Sequence, residues 1–149
     1  MEEDEMRESV LRYLEKPRAI EKQIRRKKEK IRDLRSSLVS ISVNYSDMPR
    51  SPSGPVSRME ETMVKIVDLE DEIRGLEGDK VRQLEDMTRT ISRLKEPDQK
   101  NVIYRLYVAG EPWKTVAAKT GCGLKKMSGL RNQGIEELGR LMSRDKESD

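Results

Sequence analysis

The residues whose types and spacing could carry chemistry fall together between Trp113 and Asn132, WKTVAAKTGCGLKKMSGLRN. A helix-turn-helix needs a small residue where its two helices cross and a residue tolerant of positive φ in the turn. It also needs apolar residues at helical spacing on both inner faces. Trp113, Val116, Ala117, Met127 and Leu130 stand where that core is expected, and Gly121 stands in the turn. Ala117 has no long side chain to hold the helices apart, and Gly121 turns the chain without steric cost. The second helix is then expected to begin near Gly123 or Leu124. Lys114, Lys125, Lys126, Ser128, Arg131 and Asn132 form the expected DNA-facing set, since Arg and Lys suit guanine edges or phosphate and Asn suits adenine.

The same spacing also suits an ordinary corner of two helices with a solvated basic face. Local charge favours a nucleic-acid surface, because Gln99 to Leu141 carries eight Lys or Arg against three Glu. Gly129, Gly134 and Gly139 fall inside the expected second helix, each costing about 1 kcal/mol against Ala. That helix is expected to depend on packing or to firm up on binding.

Other chemistries find few residues. Histidine is absent, which removes the commonest general base and metal ligand. Cys122 has no imidazole to activate it, and Gly75 and Gly78 lie in a helical pattern, not in a phosphate loop. Asp68, Glu70, Asp71 and Glu72 point in different directions on a helix and read as a solvated face. No catalytic residue, metal or cofactor is expected, and the chain reads as a non-enzyme. One cysteine excludes an internal disulfide framework and fits a reducing cytoplasm. No secretory signal or long apolar run occurs, so no membrane association is expected.

The elements that must position these residues are helical. Hydrophobic residues make up 34%, aromatic residues 3% and charged residues 40%, a composition of long, solvent-exposed helices that need partners to persist. Val10, Leu11 and Leu14 begin an apolar face. Pro17 is expected to kink that helix or start a new one. Ile20, Ile24, Ile31, Leu34, Leu38 and Ile41 continue the stripe, and Met63, Ile66, Leu69, Ile73, Leu76, Leu84, Met87, Ile91 and Leu94 form a second. Residues 42–57, with Pro49, Pro52, Gly54 and Pro55, separate them as a connector. Pro97 ends the second stripe, Asp98 is a candidate cap for the next helix, and Gly110 closes that helix. Lys80, at a core position of the second stripe, is either a register device or a snorkelling side chain.

The expected architecture is therefore all-α. A long antiparallel coiled-coil hairpin over 1–96 precedes a three-helix helix-turn-helix domain over 97–142 and a flexible tail over 143–149. Arg18 to Arg35 carries nine bases and three acids, whereas Arg58 to Glu96 carries eight bases and eleven acids, so their flanks can pair. The run Gln23 to Arg35 fits either such a flank or a second nucleic-acid contact. The Tyr45–Pro55 loop fits either a docking segment or a plain connector. A homodimer through the hairpin is expected, because one hairpin covers its apolar stripes only in part.

The run LRSSLVSISVNYSDMPRSPSGP, a charged striped helix and VIYRLYVAGEPWKTVAAKTGCGLKKMSGLRNQGIEELGRL together resemble small phage-encoded proteins of Gram-positive bacteria. These have a sigma-factor region-four-like C-terminus and are grouped with ArpU-like late transcription regulators. The resemblance covers nearly the whole chain. It implies a DNA-binding regulator in the cytoplasm of a bacterial host, with double-stranded DNA and possible RNA polymerase contact. By position, Lys125, Lys126, Ser128, Arg131 and Asn132 would face promoter-like DNA. The chain departs from a full sigma factor in having few aromatics and a coiled coil where a promoter-melting region would stand. Two rival readings are a small terminase-like DNA-packaging protein, which would form a ring, and a coiled-coil adaptor that binds protein.

Overall fold

The computed structural model describes residues 2–45 and 55–147. It is all-α, with no strand among the described residues: α1 (Glu2–Tyr45), α2 (Pro55–Ser92), α3 (Pro97–Ile103), one π-helical turn (Tyr104–Val108), α4 (Trp113–Thr120) and α5 (Leu124–Glu147). The helices run further into the connector than expected. α2 starts on Pro55, where a missing N–H is harmless because first-turn donors have no intrahelical partner. The rest of the connector, residues 46–54, lies outside the described residues. The chain divides into two compact units, Met1–Pro17 with Val81–Asp149, and Arg18–Lys80. The boundary expected between 96 and 97 therefore does not separate the packed bodies.

In the Arg18–Lys80 unit, Ile20, Ile24 and Ile31 of α1 pack with Ile66, Leu69 and Ile73 of α2, flanked by Leu34, Leu38 and Leu76. Steps of three, four and seven hold each set on one helix face. Ion pairs join Glu21 to Lys80 at 2.9 Å, Lys27 to Glu72 at 2.8 Å and Arg35 to Glu70 at 3.3 Å. Rising numbers on α1 meet falling numbers on α2, so the helices run antiparallel here. Such exposed pairs contribute about 0–1 kcal/mol each, against roughly 1.5–3 kcal/mol for each fully buried aliphatic side chain. Burial supplies the stability and charge the register. The Lys80 ammonium, bonded to Glu21, holds that carboxyl below the usual range. Met63, expected in the stripe, is 55% exposed. The half-buried positions beyond Ile66 are Thr62 and Met59, which turns Met63 off the seam.

In the other unit, Val10 and Leu14 of α1 and Met87, Ile91 and Leu94 of α2 share one buried cluster with Ile103, Ile135 and Leu138. The ends of the two long helices thus pack as part of the C-terminal body. α5 continues to Glu147, beyond the tail boundary expected at 143. The guanidinium of Arg93 grips Asp145 through two bonds of 2.7 and 3.1 Å, holding that carboxyl below its ordinary range.

Pro17 neither stops α1 nor starts a new helix; α1 runs through it. A proline lacks the N–H that would bond the carbonyl four residues back, here that of Tyr13. Gln83 Nε2 donates to Tyr13 O at 2.9 Å and replaces the missing donor. The Tyr13 hydroxyl donates to the Asp86 carboxylate and lies 3.1 Å from Thr90 Oγ1. Burial first, and Asp86 next, push its pKa up to about 12. Gln83→Ala should leave Tyr13 O unpaired and destabilise the protein by about 1–2 kcal/mol in urea melts. In a Pro17→Ala background the backbone donor returns and that cost should fall toward zero. An equal cost in both backgrounds refutes the replacement.

Candidate nucleic-acid interface

Local rules set each helix of this region. Glu96, not Asp98, caps α3: its side chain accepts from Asp98 N at 3.4 Å, with Pro97 in the first turn. The π turn follows, with Ala109 N donating five residues back to Tyr104 O at 2.9 Å. Gly110, at φ +69, ends it as expected. Glu111 then joins three elements. Its carboxylate meets Lys119 Nζ at 2.6 Å and Arg105 Nη1 at 3.2 Å. The bond from Lys119, followed by that from Arg105, holds Glu111 below the usual carboxylate range.

α4 ends at Gly121, which takes the left-handed conformation expected of the turn, φ +69. Val116 and Met127 are fully buried with Val102 and Leu106, and Ala117, Cys122 and Leu130 pack against them. Trp113 departs from its expected core role. It is 38% exposed, and the Arg131 guanidinium lies over its ring at 5.0 Å from the centroid.

The expected DNA-facing residues divide into two groups. Lys114, Lys125 and Lys126 are exposed, and none forms an ion pair among the described residues. Ser128 is half-buried beside them, one turn on from Lys125. Arg131 sits to one side, because residue 131 is four beyond buried Met127 and shares its side of the helix. Its Nε donates to Tyr107 Oη at 2.8 Å. Bonded through Nε and stacked on Trp113, the guanidinium keeps its two terminal nitrogens as a fixed fork suited to a two-point acceptor such as guanine or phosphate. Asn132 Oδ1 accepts from Arg7 Nη2 at 2.9 Å, so its amide is tied to the first turns of α1.

The acids of this region are all engaged. Glu111 pairs with Arg105 and Lys119, and Glu136 and Glu137 pair with Arg140. The excess charge therefore rests on Lys100, Lys114, Lys125, Lys126 and Arg131. Four of these five lie on α4 and α5.

Three contributing residues escape sequence reasoning: Tyr107, Glu111 and Arg7. Glu111 carried little signal, since Arg105 lies six residues before it and Lys119 eight after, beyond the three- or four-residue reach of a helix face. Arg7 is 125 residues from its partner and carried none. No protein-family model matches the chain, and no curated protein or solved structure matches it either.

The glycines of α5 divide by what surrounds them. A Cβ on Gly134 would come 2.2 Å from Ile103 Cδ1, whereas one on Gly129 meets nothing within 4 Å. Ile103 is fully buried within a packed cluster, so its Cδ1 would have to shift against those neighbours. Gly134→Ala should lower stability by about 1–3 kcal/mol, and Gly129→Ala should raise it by up to about 1 kcal/mol. Thermal unfolding of the two variants tests this, and shifts of the same sign contradict it.

Proposed function

We propose that this chain is a DNA-binding protein that reads duplex DNA through α4 and α5 as a helix-turn-helix. α5 enters the major groove, and α1 and α2 form an antiparallel coiled-coil hairpin. The observation that carries this reading is the charge distribution. Every acid between residues 99 and 141 is paired, and the uncompensated cations concentrate on the two helices of the motif. Unpaired cations on a rigid two-helix edge suit phosphate contact with release of counterions. The same unpaired cations favour DNA over a protein partner for an adaptor.

Roles follow from position. Lys114, Lys125 and Lys126 contact phosphate or guanine edges as mobile point charges. Arg131, held by Tyr107 and Trp113, supplies the directional contact that discriminates bases. Ser128 lies between them. The resemblance to sigma region four extends the proposal to a phage or prophage transcription regulator acting in a bacterial cytoplasm, with RNA polymerase as a second partner. Few aromatics stand where a promoter-melting segment would, so the chain recruits or positions other machinery and does not open promoters.

Duplex selection from a random pool, followed by fluorescence anisotropy across a salt series, tests the proposal. The wild type should enrich a preferred sequence. Lys125→Ala/Lys126→Ala should weaken binding to all duplexes and flatten the salt dependence by roughly two phosphate contacts. Arg131→Ala should cost about 1–3 kcal/mol, mainly in discrimination between sequences. Equal, weak binding by the wild type and the double lysine variant at physiological salt sinks the DNA reading.

A further inference from the structure

The Arg18–Lys80 unit buries one side of each helix and leaves a second apolar line uncovered. On α2, Val56, Met63 and Val67 are separated by seven and four residues, which returns the chain to within about 20° of one direction. All three are exposed, as are Val39 and Val43 on α1. The Arg35–Glu70 ion pair, 3.3 Å, fixes how these two lines relate. Arg35 precedes Val39 by four residues and Val43 by eight. Glu70 follows Val67 by three and Met63 by seven. Each charged residue thus shares a helix face with its apolar line. Because the two charges meet, both lines lie on the same side of the helix pair. Five large apolar side chains on one side of a chain that is only 34% hydrophobic form a patch of the kind that marks an interaction surface.

We propose that this face is a homodimer interface: a second copy of the chain covers Val39, Val43, Val56, Met63 and Val67, and two helix pairs close into a four-helix bundle. Charge identifies the occupant. Within this unit α1 carries nine bases and three acids, and α2 carries four bases and eight acids. A second copy related by a twofold axis lays its acidic α2 over the basic α1 of the first and its basic α1 over the acidic α2. One chain supplies both halves of that complementarity, and the same apolar lines meet on both sides. The inference stands independently of the DNA reading, because it uses no residue of α4 or α5.

Sedimentation equilibrium of the full chain over a concentration series tests it. The wild type should run as a reversible dimer. Met63→Lys/Val67→Lys should raise the dimer dissociation constant by at least about 100-fold, since both charges would be buried against the partner. Lys65→Glu is the control. Lys65 is also exposed but lies about 160° round the helix from both Met63 and Val67, and its substitution should leave dimerisation unchanged. Far-UV circular dichroism of each variant checks that helix content is retained. A monomer at every concentration, an assembly larger than a dimer, or equal loss from Lys65→Glu overturns the proposal.

Discussion

The placement of α5 depends on one close approach, that of Ile103 to Gly134. Ile103 reaches the cluster of Val10, Leu14, Met87, Ile91, Leu94, Ile135 and Leu138 only because residue 134 has no side chain in its path. Gly139 makes a second notch, where a Cβ would fall 2.5 Å from Met6 Sδ. Each glycine lowers helix propensity by about 1 kcal/mol relative to Ala, and burial of roughly 1.5–3 kcal/mol per aliphatic side chain offsets that. α5 is therefore a helix by virtue of what it packs against. Its first two turns, which bear Lys125, Lys126 and Arg131, inherit their position from that packing.

With so few apolar residues, electrostatics takes over much of the positioning. Two acids of the C-terminal region, Glu111 and Asp145, tie elements together. Glu111 joins the π turn to α4, and Arg93 with Asp145 joins the end of α2 to the end of α5. Exposed pairs of this kind contribute little stability. Their effect is to decide which cations remain uncompensated. Arg105, Lys119 and Arg140 are neutralised at the periphery, and the lysines at the start of α5 are not. A basic surface whose sequence-level excess looks diffuse is thereby concentrated on one edge.

Much of the fold was legible in the sequence because it follows from local periodicity. The two stripes, the positive-φ glycines at 110 and 121 and the Val116–Met127 contact all follow from spacing and steric rules. What was not legible depends on pairs distant in the chain. Pro17 reads as a break until Gln83, 66 residues later, supplies a donor for the Tyr13 carbonyl. The boundary at 96 looks natural until Val10 and Leu14 share a core with Ile135 and Leu138. In the candidate site, Lys125 and Lys126 are exposed. Arg131 reads as sharing their face, although its spacing from Met127 puts it nearer the core. Trp113 reads as core from its position in the motif, but it stands at the surface with the Arg131 guanidinium over its ring.

Asn132 shows how such a long-range contact changes the chemistry of a site. Reading adenine requires its amide to donate and accept together, through Nδ2 and Oδ1. Oδ1 already accepts from Arg7, a charge-assisted bond that is stronger than a neutral one. Adenine recognition would rest on the second lone pair of Oδ1 and on Nδ2, in the orientation that the Arg7 bond imposes. That bond also links the first turns of α1 to the outer edge of α5. On the DNA-reading proposal, base discrimination then concentrates on Arg131, whose fork is already oriented, while Asn132 sets the angle at which α5 is presented. Arg7 thereby becomes part of the interface without lying in either helix of the motif.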